Sequence, residues 1–187
     1  MHNYISIKDI DKELYFDNCS GCEISCCSGI NFKLMPLILD DFIEVFNNFN
    51  IYFAKLGNEF VPVIQLAEEN SACKYFKNNI CTIYNKRPPG CRLYPISPYF
   101  DDILVDLSCK AVGNQGMFLA SKNEISSNFY HKRLENFNKK REATINFTES
   151  IKDELILEKV LSNIELYIYK KNIDNFYIKL HKKSLQT

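Results

Sequence analysis

Eight cysteines, Cys19, Cys22, Cys26, Cys27, Cys73, Cys81, Cys91 and Cys109, lie in the first 109 of 187 residues, and none follows. A fold that accepts eight thiols must pair them, bury them or turn them on a metal. The opening stretch, Met1-His2-Asn3-Tyr4-Ile5-Ser6-Ile7-Lys8-Asp9, has no basic segment followed by an apolar one. No export signal is read there, and a reducing, cytoplasmic setting is expected. In that setting a dense cysteine set points to metal binding or catalysis rather than to a disulfide framework.

Spacing sharpens this expectation. Cys19-Ser20-Gly21-Cys22 followed by Cys26-Cys27 reads C-x2-C-x3-C-C. A turn two residues long can aim both flanking thiolates at one metal, hence its recurrence at zinc and iron–sulfur sites. Downstream, Cys73 and Cys81 bracket Asn78-Asn79, a pair suited to a tight hairpin turn. Pro88-Pro89-Gly90 then presents Cys91 at a defined place, between Arg87 and Arg92. An arginine there would offset thiolate charge with directed N–H donors. Cys109 stands alone beyond a strand candidate, where a cysteine is often a small core residue. The three histidines, His2, His131 and His181, are remote in sequence from the cysteines. All-thiolate ligation is therefore expected, which suits a four-cysteine zinc site or an iron–sulfur cluster, one or two in number.

The remainder reads as an α+β chain. Ile5–Ile7, Leu14–Phe16, Phe60–Ile64 and Ile103–Leu107 are strand candidates, Pro62 placing its strand at a sheet edge. Met35-Pro36-Leu37 is read as opening a helix through Phe42, Val45, Phe46 and Phe49, with Gly57 as its stop. Helical spacing also links Ile125, Phe129, Tyr130, Leu134 and Phe137. It recurs along Leu157, Leu161, Ile164 and Ile168 behind a Ser150/Asp153 start, and in a last helix with Ile173, Phe176, Tyr177 and Leu180. Charge divides near the last cysteine: residues 1–109 hold 9 basic and 14 acidic groups, a net of −5, and residues 110–187 hold 14 and 9, a net of +5. The expected organisation is a small cysteine-rich metal-binding unit of short strands and loops over 1–112, with a helical C-terminal unit over 113–187 packed on it. No apolar run is long enough to span a bilayer, so no membrane partner is expected. The basic pairs Lys139-Lys140, Lys170-Lys171 and Lys182-Lys183 fit a solvated helix face, and nucleic acid is not expected as a partner. There is no Gly-x-Ser-x-Gly and no glycine-rich strand–turn–helix signature, so the chain carries no recognisable catalytic motif.

The order C-x2-C-x3-C-C, a later Cys73, then Cys81-Thr82-Ile83-Tyr84-x2-Arg87-Pro88-x2-Cys91-Arg92-x-Tyr94-Pro95 resembles the YkgJ-type cysteine-cluster family of zinc- or iron-chelating domains. The first group carries one residue more than that family's usual C-x2-C-x2-C-C. The resemblance implies that all eight cysteines are candidate ligands of a zinc ion or an iron–sulfur cluster, [4Fe-4S] included. It makes Tyr84, Arg87, Arg92 and Tyr94 candidate supporting groups around them. Cys22 to Gly29 is also similar to the corresponding stretch of FliB-type flagellin lysine N-methylases, which use S-adenosylmethionine. Three readings follow: an iron–sulfur or metal protein, redox-active or cluster-dependent in catalysis; an S-adenosylmethionine-dependent lysine N-methylase; and a zinc-stabilised interaction module.

Overall fold

The computed structural model describes residues 3–17, 27, 32–129 and 131–186, with His131 described by its backbone alone. Contacts divide the chain into two units, each built from two stretches: Met1–Ser25 with Tyr75–Asn138, and Cys26–Lys74 with Lys139–Thr187. The division is thus not the one expected at residue 112, because residues 139–187 pack with 26–74.

In the first unit, strand Asp102–Asp106 is the centre of a three-stranded antiparallel sheet, flanked by Tyr4–Ser6 and Ile96–Tyr99. Strand Leu14–Phe16 lies between Val112–Gly113 and Met117–Ser121 in a second sheet, which Glu124–Ile125 extends. Side chains of both sheets meet in one core: Leu14, Phe16, Ile96, Val105, Leu119 and Ala120, the last two adjacent at a bulge in their strand, joined by Leu93 and Phe129. Gly116 is required here. Its φ of +103° is open to glycine, and a Cβ would lie 2.4 Å from the Phe16 carbonyl oxygen. The helix expected across Ile125 to Phe137 is instead a strand end, a 3-10 turn at His131–Arg133 and the start of a helix at Phe137.

The second unit is a five-stranded antiparallel sheet in the order Leu155–Leu161, Ile164–Tyr169, Ile51–Leu56, Glu59–Gln65, Leu34–Pro36. Alternation assigns its faces. Phe53 and Tyr169 join Ile151 of helix Phe137–Ile151 and Ile178 of helix Phe176–Ser184. On the other side Tyr52, Ala54, Val63, Leu161, Leu166 and Ile168 form a separate cluster. Burying each such side chain is worth about 1.5–3 kcal/mol. The last helix is where it was expected, capped by Asn175, whose side chain accepts from Tyr177 N and Ile178 N.

Three expectations fail in this unit. Residues 155–169 are not helical but a hairpin, turning at Ser162 and Asn163 with φ of +50° and +64°. Ser150 does not start a helix; it lies in the last turn of one and donates to Phe147 O. Met35 and Pro36 end a strand, and only Phe42–Val45 becomes α-helix before the chain enters Ile51–Leu56. Gly57, φ +61°, then supplies the left-handed residue of the Leu56–Glu59 hairpin turn. Pro62 sits in an inner strand rather than an edge strand. It is tolerated because the neighbouring strand Leu34–Pro36 ends opposite Val63, so no ladder bond needs a Pro62 N–H; Leu37 N still donates to Pro62 O at 2.8 Å.

Candidate metal centre

Five of the eight cysteines fall among the described residues; Cys19, Cys22 and Cys26 lie outside them. Cys73 is buried, and Cys27, Cys81, Cys91 and Cys109 are half-buried. Among the described residues no disulfide joins any two of the five, and no group of three or more Cys, His, Asp or Glu is gathered as a metal site.

In the second unit, backbone structure brings Cys27 and Cys73 together: Cys73 N donates to Cys27 O at 2.8 Å. The loop that carries Cys73 is tied down at both ends. Leu66 N donates to Lys33 O at 2.8 Å, and Lys74 N returns to Leu66 O at 3.3 Å. Within the loop, Glu69 accepts from Lys33 Nζ at 2.5 Å, from Ser162 Oγ at 2.8 Å and from the Ser162 amide. The Lys33 ammonium, then the Ser162 hydroxyl, hold the Glu69 carboxyl below the usual carboxylate range. Cys73 is therefore placed by a loop with its own polar anchors. The sequence offers no signal for Lys33 or Ser162, and a Glu68-Glu69 pair reads there as helix-start or turn residues rather than as an acid/base pair.

In the first unit, Asn78 and Asn79, φ +50° and +59°, close the hairpin Phe76–Lys77 and Ile80–Cys81, as their sequence foretells. Thr82 fastens its exit, donating from N and Oγ1 to Tyr75 O at 2.8 and 3.0 Å. Five residues on, Arg87 donates from Nε to Tyr84 O at 3.0 Å, and its guanidinium stacks 3.8 Å above the Tyr84 ring. These two predicted supporting residues thus hold each other. Pro88, extended at ψ 150°, leads into the short helix Pro89–Leu93 with Pro89 in its first turn; Cys91 and the half-buried Arg92 ride on it. Leu93, 1% exposed, anchors that helix in the core beside Val105.

Cys109 reaches the same core from the other side of the sequence, packing against its edge. The link between Cys91 and Cys109 is Asp106, fully buried at the end of its strand. Its Oδ2 accepts from Tyr94 Oη at 3.1 Å, and its Oδ1 accepts from Ser108 N at 2.9 Å and Ser108 Oγ at 2.5 Å. Asp106 N donates to Pro95 O at 2.9 Å, and Cys109 N donates to Asp106 O at 3.2 Å. Asp106 was read only as part of a strand. An acid in the apolar run Ile103-Leu104-Val105-Asp106-Leu107, two residues before a serine and three before a cysteine, was the available signal.

Donor chemistry can be tested at the histidines. His181 is fully buried in the second unit, and both ring nitrogens are engaged by backbone: Nε2 accepts from Tyr169 N at 3.0 Å and Nδ1 donates to Ile51 O at 2.9 Å. Burial pushes its pKa down to about 4. It is a core residue and offers no lone pair to a metal. Cys27, Cys73, Cys81, Cys91 and Cys109 supply sulfur donors among the described residues, a chemistry that fits zinc or iron–sulfur ligation.

The family model of the CxxCxxCC family, a "putative zinc- or iron-chelating domain", matches residues 18–146. The match spans every cysteine and more than two-thirds of the chain, so this protein belongs to that family. Neither a curated protein nor a solved structure matches the chain.

Proposed function

Starting from membership of a zinc- or iron-chelating family, we propose that this chain is an iron–sulfur protein. Its proposed ligands are the thiolates of Cys19, Cys22, Cys26, Cys27, Cys73, Cys81, Cys91 and Cys109. The observation that carries the reading is the ordered pair of cysteine motifs inside the matched segment, in a chain whose buried histidine is committed to its own backbone. Two features of the described cysteines support it. Each is delivered by a short element with fixed local bonds, and they come in groups: Cys27 with Cys73, and Cys91 with Cys109 through Asp106. Tyr84 and Arg87, stacked beside Cys81, and Arg92, beside Cys91, are the proposed sources of compensating positive charge and directed donors. A bound iron–sulfur cluster would supply one-electron chemistry at a potential set by those donors and by burial.

Zinc is the second reading, because the family description admits it and four thiolates suit it equally. The proposed setting is a reducing compartment such as the cytoplasm; among the described residues no helix is long and apolar enough to cross a membrane. The proposed partner is a protein or small molecule rather than nucleic acid. Lys170 and Lys171 face Glu158 and Glu154, and the Lys182 ammonium donates to the Lys170 and Lys171 carbonyls, so these three lysines are already engaged within the chain.

Anaerobic purification with iron, zinc and acid-labile sulfide analysis and an absorption spectrum tests the proposal. Iron and acid-labile sulfide in equal amounts, with the broad visible absorption of thiolate-to-iron charge transfer, support it. Stoichiometric zinc without sulfide replaces it with the second reading, and a folded, metal-free protein overturns both.

A further inference from the structure

The carboxylate of Asp106 is buried at the end of an otherwise apolar strand, where an unneeded charge is costly. A strand end could be finished by Asp106 Oδ1 alone, which already accepts both Ser108 donors in a local turn. Oδ2 does something more: it takes the hydroxyl of Tyr94, twelve residues away and three beyond Cys91. The backbone repeats the tie, with Asp106 N on Pro95 O and Cys109 N on Asp106 O. Beside the strand ladder that pairs Ile96 with Val105, the side chain and backbone of Asp106 together tie the segment carrying Cys91 to the segment carrying Cys109, through bonds that need no metal.

We infer that Asp106 is the positioning residue of the metal centre, registering the Cys91 and Cys109 segments through Tyr94 and Ser108 before any metal arrives. The inference rests on the proposed metal-binding function. It assigns Asp106 a hydrogen-bonding role, not a ligand's. Thiolate sites tolerate errors of only a few tenths of an ångström, so a preset spacing governs how firmly metal is held. Loss of such a supporting bond typically weakens a metal site about 10–100-fold.

Asparagine at 106 keeps the scheme. Its carbonyl oxygen faces Ser108, and its amide donates to Tyr94, whose hydroxyl turns to accept. Tyr94→Phe removes the hydroxyl that Asp106 Oδ2 accepts while keeping the ring. The experiment loads full-length wild type, Tyr94→Phe, Asp106→Asn and Asp106→Ala anaerobically with ferrous iron and sulfide, and separately with zinc, then measures release to a chelator. Amide exchange at Ser108 and Cys109 is followed in the metal-free proteins. Expected is release about tenfold faster in Tyr94→Phe, with faster exchange at both amides and unchanged far-UV circular dichroism, and release within about twofold of wild type in Asp106→Asn. Wild-type release in Tyr94→Phe overturns the inference, as does Asp106→Asn failing as badly as Asp106→Ala, which would make charge the essential property. A wild type that takes up neither metal overturns the function reading itself, a result distinct from either.

Discussion

Acidification should destabilise the second unit through His181 before its carboxylates titrate. The ring sits at zero exposure, 5.0 Å from the Phe53 ring, with Lys182 adding repulsion to any positive charge. Because Tyr169 N can only donate, Nε2 must accept; a proton there would set donor against donor and break the contact. The folded pKa of about 4 lies below the unfolded 6.5, so the folded state prefers the neutral ring. Stability from this source is complete above pH 6.5 and is lost as pH falls from 6.5 toward 4, by about 3 kcal/mol in all. Between pH 7 and pH 5 the loss is about 2 kcal/mol, a sizeable part of a typical 5–15 kcal/mol. The assay is urea unfolding by circular dichroism at pH 7, 6 and 5, for wild type and for His181→Gln. Cysteine protonation and metal release also respond to acid, but they act on both proteins, so the difference in slope isolates the histidine. The variant should be less stable at pH 7 and show the shallower pH dependence. Equal slopes, or an imidazole titrating near 6.5 by NMR in the folded protein, would refute the reasoning.

Three further outcomes are expected. Gly116→Ala should cost about 1–3 kcal/mol from its φ of +103° alone, with the clash against Phe16 added, whereas Gly113→Ala, with open space around its Cβ position, should stay within about 0.5 kcal/mol; thermal melts of both decide. Phe100 is the one bulky residue among the described non-glycine positions of positive φ, at +48°, so Phe100→Asn should raise stability by about 1 kcal/mol, read by urea midpoint. Cys91→Ser should lower retained metal by about tenfold or more, with far-UV circular dichroism unchanged; metal analysis after gel filtration checks it, and full retention would remove Cys91 from the ligand set.

Local chemistry was readable wherever a few adjacent residues decide the backbone. Asn78-Asn79 makes its turn because asparagine tolerates positive φ, and Pro88-Pro89 opens the Cys91 helix because proline suits a first turn. In the region 155–169 the helical spacing misleads for a definite reason. Leu157, Leu161, Ile164 and Ile168 fall at helical intervals, yet Leu161 and Ile164 flank a turn and Leu166, Ile168 alternate on one sheet face. Short apolar stretches satisfy both periods, and what chose between them was strand Ile51–Leu56, which gains a ladder partner from Ile164–Tyr169. The contrast between His181 and the cysteines follows the same logic. A histidine in the last helix is neutral as to role until Ile51, 130 residues away, and Tyr169, from the strand before it, occupy both nitrogens.

What the order of residues determined unaided is a chemistry: many thiols, no histidine near them in sequence, and the asparagines and prolines that fix short turns beside Cys81 and Cys91. Those are properties of single residues and their immediate neighbours, and they need no partner. Tertiary structure decided which segments meet: residues 139–187 joining 26–74, Cys27 against Cys73, and a buried Asp106 bonding Tyr94 to the approach of Cys109. Such pairings depend on burial and on long-range hydrogen bonds, whose energies exist only once distant stretches of chain have excluded water together.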